Sequence, residues 1–229
     1  MRSQTRTLLD QVPQGRRDEI EERVETLLSE LSLEEKVGQL NQLNADFATG
    51  TAVGDMDIEQ GVLDGDIGSV LNFEDLEEAR KLQRLAVEES DHGIPLVLAL
   101  DVIHGHRTIF PIPLGEAASW NPEAAERSAR VAAREAAADG IHWTFAPSVD
   151  VGRDARWGRV MEAAGEDPYL SSEISKARVR GFQGDDLAAD DTILACAKHY
   201  VGYGASEAGR EYNTVDISET NLREIHLPP

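Results

Sequence analysis

The chain has 229 residues, of which 22 are basic and 43 acidic, so its formal net charge is −21 with neutral histidines. This charge argues against nucleic acid as a partner, because a phosphate backbone is bound by clusters of Lys and Arg and no such cluster is visible. With 41% hydrophobic and 28% charged residues, the composition predicts a globular protein rather than a disordered one.

Membrane attachment and secretion are not predicted. No apolar run approaches the roughly 20 residues that span a bilayer, and the N-terminal sequence MRSQTRTLLDQVPQGRRDEI lacks the apolar core of a signal peptide. We therefore expect a cytoplasmic protein without a membrane partner. The basic residues are nearly all Arg, and such an acidic, Lys-poor surface favours a high-salt environment, where self-repulsion is screened. The single cysteine, Cys196, is expected to be a small buried hydrophobic residue.

The first third of the chain combines short helices with short strands. A polar amphipathic helix is predicted over residues 18–30, and Ser32 with Glu35 forms a capping box that opens a second helix through Val37. Two short buried strands are predicted around residues 37–43 and 66–72.

Helices and strands then alternate. The predicted helices cover residues 74–89, a segment from the Asn121 cap to about Asp139, a segment from the Asp167 cap to about Arg180, and a last segment from Ser218. The predicted strands cover residues 96–104, 141–150 and 192–200. This alternation predicts an α/β fold with a parallel sheet, either a barrel or a doubly wound sheet.

Polar side chains follow three of these predicted strands directly. They are Asp101, His104, His106 and Arg107; Asp150, Arg153, Arg156 and Arg159; and Lys198 and His199. In a parallel barrel the strand ends converge on one mouth, so these groups would form one site, suited to a ligand rich in hydroxyls. The structural alternative is that the charges only pair with one another in the scaffold.

Cofactor and metal sites are weakly indicated. His104 and His106 resemble the paired metal ligands of amidohydrolase barrels, but a hydrolytic metal site needs further ligands that the sequence does not place. The sequence DGDIGS lacks the strand, glycine loop and helix that bind a dinucleotide. We expect neither a metal nor an organic cofactor, and keep a metal-dependent hydrolase as a minor alternative.

Taken together, several motifs resemble the N-terminal barrel of glycoside hydrolase family 3, in its β-glucosidase branch. They are LSLEEKVGQL, ALDVIHGHRTIFPIPLG, FAPSVDVGRDARWGR with EAAGEDPYL, and ACAKHYVGYGASEAGREYNTVD. The resemblance implies hydrolysis of terminal β-linked glucose with retention, by two carboxyl groups. It also implies that a small carbohydrate is bound by Asp101, Arg107, Arg159, Lys198, His199 and Glu211.

The loop after the Lys198–His199 pair distinguishes branches of the family. Aminosugar enzymes of the family carry a His and an Asp there, in a loop that reads roughly KHFPGHG. This chain has Tyr203 at the position of that His. The resemblance therefore favours the glucosidase or xylosidase branch.

The resemblance covers residues 31–229, with residues 1–30 as a helical lead-in, and accounts for about five of the eight βα units of a (β/α)8 TIM barrel. In the family, the nucleophilic Asp and the acid/base lie beyond the position of Pro229. We therefore expect no catalytic residue within these residues, no activity from them alone, and completion by a C-terminal part or a second chain. The alternative is a non-catalytic or vestigial sugar-binding fragment.

Overall fold

A computed structural model describes residues 13–45, 58–72 and 76–229 of the chain. Its α-helices are α1 (Gln14–Glu30), α2 (Leu33–Gly38), α3 (Ile58–Leu63), α4 (Leu76–Arg84), α5 (Pro113–Ala117), α6 (Pro122–Ala138), α7 (Pro168–Gln183) and α8 (Glu219–Asn221). Its strands are β1 (Gln42–Asn44), β2 (Ser69–Leu71), β3 (Val97–Leu100), β4 (Trp143–Thr144) and β5 (Leu194–Ala195). No helix in these described ranges is both long enough and apolar enough to cross a membrane.

The chain divides into two compact units. The first takes the described residues within 1–43, 53–69 and 82–96, and the second those within 44–52, 70–81 and 97–229. Every residue predicted to bind ligand belongs to the second unit.

The first unit contains the predicted capping box. The Ser32 hydroxyl accepts from the Glu35 amide at 3.1 Å, and the Glu35 carboxylate accepts from the Ser32 amide at 2.7 Å. These bonds lower the pKa of Glu35, and His92 adds a contact at 3.0 Å to the same carboxylate. Gly38 lies so close to the next segment that an added Cβ would sit 2.1 Å from the Gly65 carbonyl oxygen, so a larger residue would displace the backbone there.

The five strands form one sheet in the order β1-β2-β3-β4-β5. Strand β4 pairs in parallel with both β3 and β5, with Leu100 beside Thr144 and Thr144 beside Ala195. The described chain therefore has the predicted α/β architecture, with one five-stranded sheet and helices between its strands.

The strands are shorter than predicted. Strand β3 ends at Leu100 rather than near residue 104, β4 covers two residues of the predicted 141–150, and β5 covers two of 192–200. The apolar run continues past β3 because the following loop is also buried. Val102 is 1% exposed, and its amide donates to the Thr144 hydroxyl at 3.0 Å.

The two long helices of the second unit begin where the caps predict. Asn121 accepts from the Ala124 amide at 3.0 Å, and Asp167 accepts from the Leu170 amide at 2.7 Å. Small residues let α6 and α7 pack closely, since a Cβ at Gly181 would lie 2.4 Å from the Glu126 carbonyl oxygen. This packing builds a core from alanines of α6, Phe182 and neighbouring residues of the sheet.

Several helical features differ from the prediction, among them α3, which was not predicted. The helix predicted over 74–89 is α4 followed by a π-helical turn over Leu85–Glu89, with the predicted start at 74 and 75 outside the described residues. The last predicted helix is the short α8 and a π-helical turn over Leu222–His226. Helix α5 was not predicted, because five residues carry too little periodicity to stand out.

Candidate functional site

The centre of the site is an ion pair between residues that follow two different strands. Lys198 Nζ lies 2.5 Å from Asp101 Oδ1. Backbone bonds hold the Lys198 segment beside the residues that follow β4, since its amide donates to Pro147 at 3.1 Å and its carbonyl accepts from Val149 at 2.6 Å. Lys198 is 15% exposed and Asp101 38%, so the carboxylate remains accessible to a ligand.

Arg159 is fixed by a bidentate ion pair. Its Nε and Nη2 atoms donate to the two carboxylate oxygens of Glu162 at 2.7 and 2.6 Å. The hydrogen bonds to Glu162 raise the pKa of Arg159, and the negative charges of Glu211 and Asp101 add to this. The guanidinium is therefore a fixed cation within electrostatic reach of both carboxylates.

His199 contacts an acid on one side and Arg159 on the other. Its Nδ1 lies 2.7 Å from Asp150 Oδ2, and its Nε2 lies 3.3 Å from Arg159 Nη1. The ring meets the Tyr203 ring edge-on at a centroid distance of 4.8 Å.

Tyr203 connects the remaining groups of the site. Its hydroxyl donates to Glu211 Oε1, and the Arg159 guanidinium lies 5.7 Å from its ring centroid. Trp157 packs edge-on against the same ring and is 1% exposed, so it belongs to the core. In the described part of the chain, Glu211 Oε2 is buried without a hydrogen-bond partner.

Comparison with known proteins places this arrangement in a family. The model of the glycosyl hydrolase family 3 N terminal domain matches residues 32–229. This chain belongs to glycosyl hydrolase family 3.

Relatives within the family include β-glucosidases and β-xylosidases. The matching solved structures include β-glucosidases with an N-terminal TIM barrel, which confirms the predicted barrel fold. The chain is 41% identical over 206 residues to the periplasmic beta-glucosidase of Salmonella typhimurium, covering 90% of this chain and 26% of that protein. It is 34% identical to the lysosomal beta glucosidase of Dictyostelium discoideum, covering 90% and 28%. The crystal structure of beta-glucosidase from Listeria innocua superimposes with a TM-score of 0.82 at 43% identity, covering 90% of this chain and 30% of that one. The chain thus spans less than a third of these relatives. Structures of the Listeria protein also contain glucose or laminaribiose.

Of the six residues that the family resemblance singled out, the structure groups five together: Asp101, Arg159, Lys198, His199 and Glu211. Arg107 contacts α6 instead. Its Nε donates to Asp139 at 2.7 Å, its amide donates to Glu135 at 2.8 Å, and its side chain is 68% exposed. A sugar contact for Arg107 stays a prediction.

The two histidines that suggested a metal have separate partners. His104 Nδ1 lies 3.0 Å from the Phe110 carbonyl oxygen, and His106 Nε2 lies 2.6 Å from Asp139. Within residues 13–45, 58–72 and 76–229, no three His, Cys, Asp or Glu side chains are grouped to hold a metal ion. In this family 3 domain the two rings hold the loop after β3.

Glu162 was not predicted, although it contributes directly to the site by holding Arg159. A signal was present, because an acid three residues after an arginine pairs with it on one helical turn. That turn is the 3-10 helix Val160–Glu162. The WGR motif indicates Arg159 as a candidate site residue but does not indicate Glu162.

Proposed function

We propose that this chain supplies the innermost sugar-binding site of a β-glucosidase that releases terminal β-linked glucose from glucosides and small oligosaccharides with retention. The carrying observation is the accessible Asp101 carboxylate held by Lys198 at 2.5 Å, with Arg159 and His199 grouped beside it. The family membership and the glucose and laminaribiose complexes of the Listeria relative support the choice of ligand.

The chemistry of the grouped residues suits a pyranose ring. The Asp101 carboxylate accepts hydrogen bonds from sugar hydroxyls, while Lys198 and Arg159 donate to other hydroxyl oxygens. Charge-assisted bonds of this kind orient the ring and strengthen as it distorts towards the oxocarbenium-like transition state.

In this proposal, the two catalytic carboxyl groups of the retaining mechanism are not supplied by the residues described above. Asp101 is engaged by the Lys198 ammonium group, and its proposed task is to accept hydrogen bonds from sugar hydroxyls. We assign the nucleophile and the acid/base to polypeptide outside these 229 residues, and no metal or organic cofactor takes part. The 229 residues alone then bind sugar without hydrolysing it.

Calorimetry with glucose and laminaribiose tests the binding role. The expected result is a saturable heat for the 229-residue chain that Asp101→Ala abolishes, with Asp185→Ala, an exposed residue after α7, as the matched control. Absence of binding by the unaltered chain would refute the sugar site. An aryl β-glucoside assay adds a second readout, because measurable turnover would refute the assignment of both catalytic carboxyls to other polypeptide.

The nucleotide sequence after the codon for Pro229 separates an enzyme from a vestigial sugar-binding fragment. An in-frame continuation with the rest of the barrel and an SDW-like segment supports the enzyme. Binding of glucose with no such continuation and no complementing chain supports the fragment. The choice between glucoside and xyloside then requires the completed enzyme.

A further inference from the structure

Asp150 is a buried acid behind the proposed sugar site. The proposed sugar binding gives this residue no direct role. Its side chain is 1% exposed, so it does not touch a ligand in the mouth of the site. One oxygen, Oδ2, accepts from three donors: the His199 ring at 2.7 Å, the His199 amide at 3.2 Å and the Ser148 hydroxyl at 3.2 Å.

The two neighbours of the His199 ring determine where its proton lies. An ionised carboxylate only accepts hydrogen bonds, so Nδ1 beside Asp150 must carry the hydrogen. A guanidinium only donates, so Nε2 beside Arg159 must offer its lone pair. The contacts of this ring are mutually consistent only in the neutral Nδ1–H tautomer.

We propose that Asp150 is a positioning residue that fixes the His199 ring and its tautomer, so that Nε2 accepts a hydrogen bond from Arg159 and orients the guanidinium. This rests on the proposed function for its purpose, since the oriented guanidinium donates to a sugar hydroxyl. In this arrangement Lys198 and Arg159 donate to the sugar, Asp101 accepts from it, and Asp150 acts on Arg159 through the His199 ring.

A second histidine provides an internal reference of opposite tautomer. His142 Nδ1 accepts from the Leu98 amide at 3.1 Å, so its hydrogen belongs on Nε2. Burial lowers the pKa of His142. We therefore expect opposite tautomers for His199 and His142 in the same sample.

Two-bond proton–nitrogen correlation spectra of the 229-residue chain, labelled at the histidine rings, test the tautomer directly. We expect His199 to carry its hydrogen on Nδ1 and His142 on Nε2 at about pH 8, above the ordinary imidazole pKa of about 6.5. The His199→Gln variant serves only to assign the resonance. A hydrogen on Nε2 of His199 in the unaltered chain would overturn the proposal, whatever the variants do.

Two variants of Asp150 separate its role in positioning His199 from the effect of the volume that its side chain fills. Asp150→Ala removes the acceptor, and we expect mixed tautomers of His199 and glucose binding weakened roughly tenfold. Asp150→Asn keeps one carbonyl oxygen for Nδ1–H, while its amide takes the place of Oδ1, which has no partner among the described residues. It should restore the Nδ1–H tautomer and most of the binding.

The outcomes are separable from those of the proposed function. If the tautomer is as expected but no glucose binds, the sugar site is refuted while the role of Asp150 in fixing the ring stands. If Asp150→Ala does not fold, the unaltered chain and Asp150→Asn still decide. Unchanged tautomer and binding in Asp150→Ala, or failure of Asp150→Asn to keep the tautomer, would refute the positioning role.

Discussion

Two ion pairs of the second unit, each between residues that are far apart in sequence, differ in accessibility. One is buried and the other is accessible to solvent. Arg178 Nη1 lies 2.7 Å from Glu116 Oε2, and their side chains are 4% and 7% exposed. Both ends have further partners, because Glu116 also accepts from the Ser128 hydroxyl and Arg178 also donates to the Ile103 carbonyl. The Lys198–Asp101 pair is as short, but its carboxylate stays open.

The difference lies in how accessible each pair is after folding. The Arg178–Glu116 pair, which joins α7 to α5, is enclosed by the protein, so removal of one partner leaves a buried charge without its counter-ion. The Lys198–Asp101 pair keeps acceptor capacity at the surface, where the proposed sugar would donate to it. We expect the buried Arg178–Glu116 pair to determine stability and the accessible Lys198–Asp101 pair to determine binding.

Removal of the buried acid should have the largest effect. We expect Glu116→Ala to lower the free energy of unfolding by about 3–5 kcal/mol, because Arg178 is left buried and unpaired. Urea denaturation followed by circular dichroism measures this change. The matched control is Glu126→Ala, which breaks the exposed Arg180–Glu126 pair at 3.0 Å and should change stability little. Equal losses in the two variants would show that burial does not distinguish these pairs.

A change at Arg159 should reduce binding more than stability. Arg159→Lys keeps the positive charge but cannot form two parallel hydrogen bonds to Glu162, so the cation loses its fixed orientation. We expect glucose to bind about tenfold more weakly, as measured by calorimetry, with the urea midpoint nearly unchanged.

The control for Arg159 lies in the same loop. Arg156→Lys disturbs an exposed pair with Asp154, whose pKa the Arg156 hydrogen bonds lower to about 2. Binding of glucose should be unaffected there. An equal loss of binding in both lysine variants would mean that the loop, and not the Arg159–Glu162 geometry, sets the affinity.

Local sequence features predicted the helices better than the strands. Asn121 and Asp167 each accept the predicted capping hydrogen bond, because a cap depends on residues within one turn. Strand lengths were overestimated because an apolar run reports burial, and Val102 is buried in a loop after β3. Sequence pattern alone does not separate a buried strand from a buried loop.

The site was predictable in its members and not in its partners. Asp101, Lys198 and His199 follow apolar runs, and the alternation of helices with strands was enough to bring them together. The pairing of Arg178 with Glu116, 62 residues apart, leaves no local pattern. Likewise, Asp150 was identified as a residue at a strand end, but its contact with His199 depends on the packing of two loops.

Acid should weaken a third cluster, which anchors the loop after β3 on α6. Burial raises the pKa of Asp139, but hydrogen bonds from His106 and Arg107 lower it overall. A carboxyl group with a lowered folded-state pKa contributes stability above its unfolded pKa of about 3.9, and this contribution is lost as the pH falls towards the folded-state value. Asp139→Asn should therefore lose less stability than the unaltered chain between about pH 6 and pH 3.

The same measurement on Asp185→Asn provides the control, since this exposed residue lies away from the cluster. Urea midpoints at each pH give the comparison. Parallel pH profiles for Asp139→Asn and the unaltered chain would contradict a stabilising role for the His106–Asp139–Arg107 contacts.

The smallest expected effect, a few degrees in the thermal midpoint, concerns the surface as a whole. With 43 acidic and 22 basic residues, acidic side chains exceed basic ones by 21. Raising KCl from about 0.1 M to above 1 M shortens the screening length from about 10 Å to about 3 Å, which relieves repulsion between the acidic side chains. It also weakens exposed pairs such as Arg80–Glu77, but such pairs contribute little. The midpoint should therefore rise as the KCl concentration is raised. A midpoint that is highest in dilute buffer would contradict the predicted adaptation to high salt.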